Sequence, residues 1–203
     1  MPVLGITGGV ASGKSSFVRC LMDRRSFELF DADKAVHKLL EGEAAPLVID
    51  RFGLEVVNEA GGIKRSALRD KVLEDSVARV ELEAILHPMV RRQWKAQVEE
   101  FRSQSSAYRG CNLLVLDIPL LFEVQAESDM DLVVVVGCQS KTQRRRLIET
   151  RGFDETTADR FMAMQWPIEE KLTRGDFVVW NDGPFPLLNS QADLLMEIIS
   201  VYD

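Results

Sequence analysis

Val3-Leu4-Gly5-Ile6-Thr7-Gly8-Gly9-Val10-Ala11-Ser12-Gly13-Lys14-Ser15-Ser16-Phe17 opens the chain with an apolar run, a glycine-rich turn and the start of a helical pattern. Val3 to Thr7 reads as a buried strand, and Lys14 to Met22 has helical spacing. Between them, residues 8–15 satisfy G-x-x-x-x-G-K-[ST] in the strand, turn and helix setting that the motif requires. Glycines let the backbone curl so that several N–H groups point at one anion, and the helix N-terminus adds partial positive charge there. Lys14 has the reach for outer phosphates, and the Ser15 hydroxyl is placed to ligate magnesium. The candidate nucleotide contacts are therefore Gly9, Val10, Ala11, Ser12, Gly13, Lys14, Ser15 and Ser16, with ATP and Mg2+ as the expected cofactors. Ala11 stands where a glycine is frequent in such loops, and its methyl is small enough that no loss of binding is expected. The loop alone does not separate a kinase from a nucleotide-dependent switch, so the acceptor site has to come from other residues.

Outward from the loop, further short apolar runs at Glu28–Phe30, Leu113–Leu116, Leu132–Val136 and Phe177–Trp180 predict four more strands. Alternation of these runs with helical patterns predicts an α/β fold: a three-layer α/β/α unit built on a five-stranded, mostly parallel sheet. The core would comprise residues 1–34, 111–139 and 176–203. Residues 35–103 are too long for a simple crossover and read as a helical substrate-binding insertion, with helices over Ser76–Leu86 and after Pro88, whose proline suits a first turn. A polar linker follows at Ser103–Gly110. Residues 140–175 read as a helical lid, with a capping box at Ser140 and Gln143, a helix reaching Arg151, and Asp154 capping the next one. Leu187–Tyr202 predicts a helix on the sheet.

With 203 residues, 46% of them hydrophobic, the chain can bury a real core as one main unit with insertions. Its net charge of -7 disfavours nonspecific attraction to nucleic acid or an anionic membrane, so an anionic substrate must meet local basic clusters. Cys20, Cys111 and Cys138 are too few and too widely spaced for a disulfide framework or a zinc motif, which fits a reducing cytoplasm. The N-terminal run is too short for a signal peptide, and no stretch approaches a membrane span. Monomer and small homo-oligomer are both compatible with the sequence.

Phe30-Asp31-Ala32-Asp33 puts two carboxylates at the end of the second strand, the side on which ligands collect in open α/β sheets. A carboxylate there can accept the proton of an attacking hydroxyl or help hold magnesium; the alternative is that Asp33 caps the following helix. Asp117 ends the third strand, a common place for a magnesium-linked carboxylate. Lys64, Arg65 and Arg69, then Arg91 and Arg92, then Arg144, Arg145, Arg146 and Arg151 form three basic clusters, each of which could equally be a solvated face.

Taken in order, Gly5–Ser15, Asp31-Ala32-Asp33, Gly61-Gly62-Ile63-Lys64-Arg65-Ser66-Ala67-Leu68, His87-Pro88-Met89-Val90-Arg91, Asp117-Ile118-Pro119-Leu120-Leu121-Phe122-Glu123 and Asn181-Asp182-Gly183 resemble the signatures of the dephospho-CoA kinase family. The resemblance covers nearly the whole chain. It implies transfer of the ATP γ-phosphoryl group to the ribose 3′-hydroxyl of dephospho-CoA, with Asp33 as general base and Asp31 as its partner, an exchange of roles between the two staying open. It also implies Arg146 on the lid and Asn181 near adenine as nucleotide contacts, Lys14 and Arg146 beside the transferring group, and Asp33, Arg65, His87 and Arg91 on the acceptor side. The metal-ligand candidates, Ser15 and Asp117, come from the loop motif and the strand end and not from the resemblance, since the family does not always have Asp at the second position. Gln165 and Lys171 resemble lid positions. Thr150 stands where the family commonly has a second lid arginine, with Arg151 one residue later.

Overall fold

The computed structural model describes residues 1–103 and 112–200. The expected linker beyond Ser103, Cys111 and the end of the C-terminal pattern lie outside the described residues.

Strands β1 (Val3–Gly8), β2 (Glu28–Asp31), β3 (Leu114–Asp117), β4 (Leu132–Gly137) and β5 (Phe177–Trp180) form one sheet in the order β2-β3-β1-β4-β5. The pairs β1–β3, β1–β4 and β4–β5 are parallel. Their uninterrupted apolar runs follow from burial on both faces. Leu4 and Ile6 of β1, Val115 of β3 and Val134 and Val136 of β4 point to one side, where they pack with Phe17 and Leu21 of α1 (Lys14–Met22) and Leu188, Leu195 and Ile199 of the C-terminal helix Phe185–Ile199. Val3, Leu114, Leu116, Val133 and Val135 point to the other side and are equally buried. That alternation leaves β1 central, flanked by β3 and β4, so its carboxyl end opens at the point where the strand order reverses. The expected five-stranded α/β/α architecture is the one observed.

Contacts divide the chain into two compact units: Met1–Phe30 with Gln97–Asp203, and Asp31–Ala96. The second holds α2 (Ala32–Glu41), α3 (Ala45–Phe52), α4 (Arg65–Glu74) and most of α5 (Ser76–Ser103). Two expected boundaries need correction. Pro88 does not start a helix but lies inside α5. A proline there removes one backbone hydrogen bond and crowds the preceding turn. The stripe of Leu86, Val90, Trp94, Val98 and Phe101, each at most 7% exposed, outweighs that local preference. The first unit also holds α6 (Ser140–Arg151), α7 (Glu155–Ala163), α8 (Ile168–Leu172) and α9 (Phe185–Ile199). The capping box at Ser140 does not form. Gln139 is the N-cap residue and Ser140 already helical, while the Gln139 N–H donates to an Asp182 carboxylate oxygen at 2.9 Å. Asp154 does cap α7, accepting from the Thr157 N–H at 2.9 Å. Among the described residues no helix is long and apolar enough to cross a membrane.

Candidate active site

Each part of the phosphate loop is held by a group the fold brings to it. The Ser12 N–H closes a turn onto the Gly9 carbonyl at 3.1 Å, and Gly13 takes φ 95° immediately before α1. The backbone N–H groups of Lys14 and Ser15, at the first two helical positions, have no carbonyl four residues back within the helix. Ala11 adopts φ 55°, a left-handed conformation that costs a non-glycine residue about 1–2 kcal/mol. The missing glycine at that position is therefore felt in backbone conformation, which a size argument does not capture.

A Cβ built on Gly13 would overlap the Asn181 side-chain amide, and one on Gly9 would overlap that of Gln143. Gln143, nearly buried at 4% exposure, lies against the loop instead of capping α6. Asn181 donates from Nδ2 to the Ser12 carbonyl at 2.8 Å. Arg146 donates from Nη1 to the carbonyls of Ala11 and Ser12 at 3.2 and 3.1 Å, and from Nη2 to that of Asn181 at 2.8 Å. Two of these acceptors are loop carbonyls and the third follows β5, so Arg146 ties the loop to the end of that strand. Gly13→Ala is expected to lower the melting temperature and weaken ATP binding at least about tenfold, because a methyl there must both hold a left-handed backbone and displace Asn181. Thermal unfolding and calorimetric titration with ATP measure both effects.

Lys14 pairs with Asp117, the last residue of β3; their side chains are 12% and 9% exposed. Val10 and Ser16 complete the loop and the first turn of α1, and Ser16 and Phe17 both return their N–H groups to the Gly13 carbonyl. Ser15 lies at the second position of α1 and is exposed. Cys138 packs under Arg146, and burial pushes its thiol up to about 11, so it stays protonated and inert at neutral pH. Gln139, Lys141, Thr142, Arg145 and Asp182 line a cleft of about 490 Å³ where α6 begins. Arg151, the last residue of a regular α6, is exposed; Gly152 at φ 70° ends that helix, with the Phe153 N–H bonded back to the Leu147 carbonyl.

In the other unit, Asp31 is the N-cap of α2. Its carboxylate accepts from the Lys34 N–H at 3.0 Å and pairs with Lys34 Nζ at 3.2 Å. Asp33 is therefore not the cap. It sits in the first turn, exposed and without a hydrogen-bond or ion-pair partner among the described residues. The Gly61-Gly62 signature forms a turn in which Asn58 Oδ1 accepts from the N–H groups of Ala60 and Gly62, and Val57 and Ile63 make an antiparallel bridge. This turn delivers Arg65 to the start of α4, where it donates to His37 Nε2. His87, Arg91 and Trp94 share one face of α5, with the Arg91 guanidinium 5.5 Å from the Trp94 ring centroid.

Burial holds the His87 imidazole below its ordinary range, with Arg91 lowering it further and Glu83 opposing. A depressed folded-state value means that the unfolded chain binds the proton more readily, so stability present above the ordinary histidine range is lost as pH falls through the folded value. The melting-temperature difference between wild type and His87→Asn should therefore shrink as pH falls from about 7.5 to about 5.

Sequence reasoning missed the use of Gln143 and the clamp around Lys171. Lys171 is fully buried, pairing with Glu123 at 2.8 Å and donating to the Pro119 carbonyl at 3.0 Å. A buried lysine leaves no local signal, and only its place in the family signatures drew notice to it.

The sequence matches the profile described as dephospho-CoA kinase over residues 2–186. It is 40% identical to the dephospho-CoA kinase of Anaeromyxobacter dehalogenans over 97% of this chain and 91% of that protein. A crystal structure from Thermus thermophilus superposes with TM-score 0.76 at 29% identity, covering 97% of each chain. A dephospho-CoA kinase from Campylobacter jejuni does so with TM-score 0.70 at 25% identity, over 98% of this chain and 96% of that one. With the phosphate loop intact and a match spanning nearly the whole length, the chain belongs to the dephospho-CoA kinase family.

Proposed function

We propose that this chain carries out the reaction of its family, ATP γ-phosphoryl transfer to the ribose 3′-hydroxyl of dephospho-CoA, with the phosphate loop as its ATP site and Asp33 as its base. The observation that carries the reading is the intact loop of residues 8–15, with Lys14 paired to Asp117 at the end of β3. Lys14 exchanges Asp117 for the outer phosphates when ATP binds, and the N–H groups at the start of α1 hold the same oxygens. Arg146 and Asn181 keep the loop in its binding shape, and the Arg146 guanidinium adds positive charge beside the nucleotide.

Asp33 takes the proton of the 3′-hydroxyl as that oxygen bonds to the γ-phosphorus and the bond to the β,γ-bridging oxygen of ATP breaks, giving CoA and ADP. Two observations favour Asp33 over Asp31: the cap and the Lys34 pair occupy Asp31, whereas Asp33 is exposed and unengaged. Arg65, His87 and Arg91 serve the acceptor, with Arg65 and Arg91 matching its anionic groups.

Magnesium fits the donor set. Among the described residues no cluster of three or more His, Cys, Asp or Glu is present, and Ser15 with Asp117 is the sparse oxygen pair suited to a cation held mainly by nucleotide oxygens and water. There it would offset phosphate charge as the γ-group transfers. A panel of dephospho-CoA, shikimate and nucleosides tests the acceptor: ADP release with Mg-ATP should depend on dephospho-CoA alone, and faster release with another acceptor overturns the assignment.

A further inference from the structure

Lys171 belongs to no part of the phosphate loop, yet it is among the largest fully buried side chains of the protein. Its ammonium has three N–H donors and meets three acceptors: Glu123 Oε1 at 2.8 Å, the Pro119 carbonyl at 3.0 Å and, at the long end of hydrogen-bond range, the Gly8 carbonyl at 3.5 Å. Gly8 is the last residue of β1 and the first of the phosphate loop. Pro119 lies two residues beyond Asp117, in the turn that leaves β3. One ammonium therefore joins the segment that carries Lys14 to the segment that carries its counter-ion.

Other bonds tighten the same point. Thr7 Oγ1 donates to the Pro119 carbonyl at 2.9 Å, and Glu123 Oε1 also accepts from the Trp166 N–H at 3.0 Å. Among the described residues the second Glu123 oxygen is buried without a hydrogen-bond partner, and the carboxylate's partners are Lys171 and Trp166. Burial lowers the Lys171 ammonium below the ordinary lysine range, with Glu123 opposing the shift and nearby Lys14 adding to it. A buried ion pair of this kind carries a desolvation cost that an apolar side chain of similar volume would avoid, so packing alone gives no reason for it. What the pair does supply is a fixed distance between the loop and the Asp117 turn.

We propose that Lys171, with Glu123 as its counter-ion, is a positioning residue for phosphoryl transfer, holding the Gly8 and Pro119 carbonyls at one point so that the phosphate loop and the Asp117 turn keep a single relative placement. The proposal rests on reading residues 8–15 as the ATP site. It separates two effects: a loosened clamp still lets ATP bind the loop, but the outer phosphates and the Asp117 carboxylate are no longer held in the geometry of the reaction, where small displacements are costly.

The test uses the full-length enzyme with ATP and dephospho-CoA. Either single truncation strands a buried charge, whereas Lys171→Met/Glu123→Gln removes both charges at nearly constant volume. The double variant should melt within a few degrees of wild type, with kcat per folded molecule lower by about 10- to 100-fold and the KM for ATP changed less than about threefold. A folded double variant with wild-type kcat would show that the pair only supports folding and would overturn the proposal. Should the double variant not fold, Glu123→Gln decides: it leaves Lys171 without its counter-ion but keeps a neutral acceptor for both Lys171 and Trp166. A kcat about three- to tenfold lower supports the proposal, and a change under about twofold overturns it. Turnover of dephospho-CoA by wild type in the same assay tests the functional reading separately, because the clamp is judged only on the ratio of variant to wild type.

Discussion

Asp33→Asn is expected to lower kcat by about 10²- to 10⁴-fold, the range by which a positioned general base accelerates proton transfer. The KM for ATP should move by less than about threefold and the melting temperature hardly at all, because Asp33 is exposed and takes no part in capping α2. Asp31 provides the control. Asparagine caps a helix about as well as aspartate, so Asp31→Asn should leave both stability and turnover near wild type, whereas Asp31→Ala costs about 1 kcal/mol by removing the acceptor for the Lys34 N–H. Steady-state kinetics and thermal unfolding of the three variants separate base from cap. Unchanged turnover in Asp33→Asn with loss in Asp31→Asn would exchange the two roles.

Lys14→Ala has the other large effect, and a different signature. Lys14 pairs with Asp117 at the start of α1, and on the proposed reading its removal takes away both the charge for the outer phosphates and the partner of Asp117. The expected result is a fall of about 10²- to 10³-fold in kcat/KM, with ATP binding weakened as well as turnover, since the same contact acts before and during transfer. Asp33→Asn should bind ATP normally, so calorimetric titration with ATP distinguishes the variants without any turnover. Tight ATP binding by Lys14→Ala would remove Lys14 from the nucleotide site.

The fold and the phosphate loop were legible because each rests on short-range pattern. Runs such as Leu132–Val136 are continuously apolar because both faces of the sheet are covered, and the loop is eight consecutive residues between a strand and a helix. What was not legible depends on partners distant in sequence. Ser140 and Gln143 have the spacing of a capping box, yet Gln143 is used against Gly9, and Asp182 takes the N–H at the helix start. Pro88 looks like a helix start until the buried stripe running through it is seen. Asp33 and Asp31 are equivalent as letters; only the hydrogen bond from Lys34 assigns the cap to Asp31 and leaves Asp33 unengaged. Lys171 gains its meaning from Gly8, Pro119 and Glu123, none of which is its neighbour in the chain.

The acceptor and the reaction are decided together by mass spectrometry of the acceptor after incubation with Mg-ATP, read alongside ADP release in the presence and absence of dephospho-CoA. Formation of CoA, one phosphate heavier than the acceptor, in step with ADP that appears only when dephospho-CoA is present is the predicted result. ADP released equally without acceptor, or dephospho-CoA recovered unchanged while ATP is consumed, would contradict it.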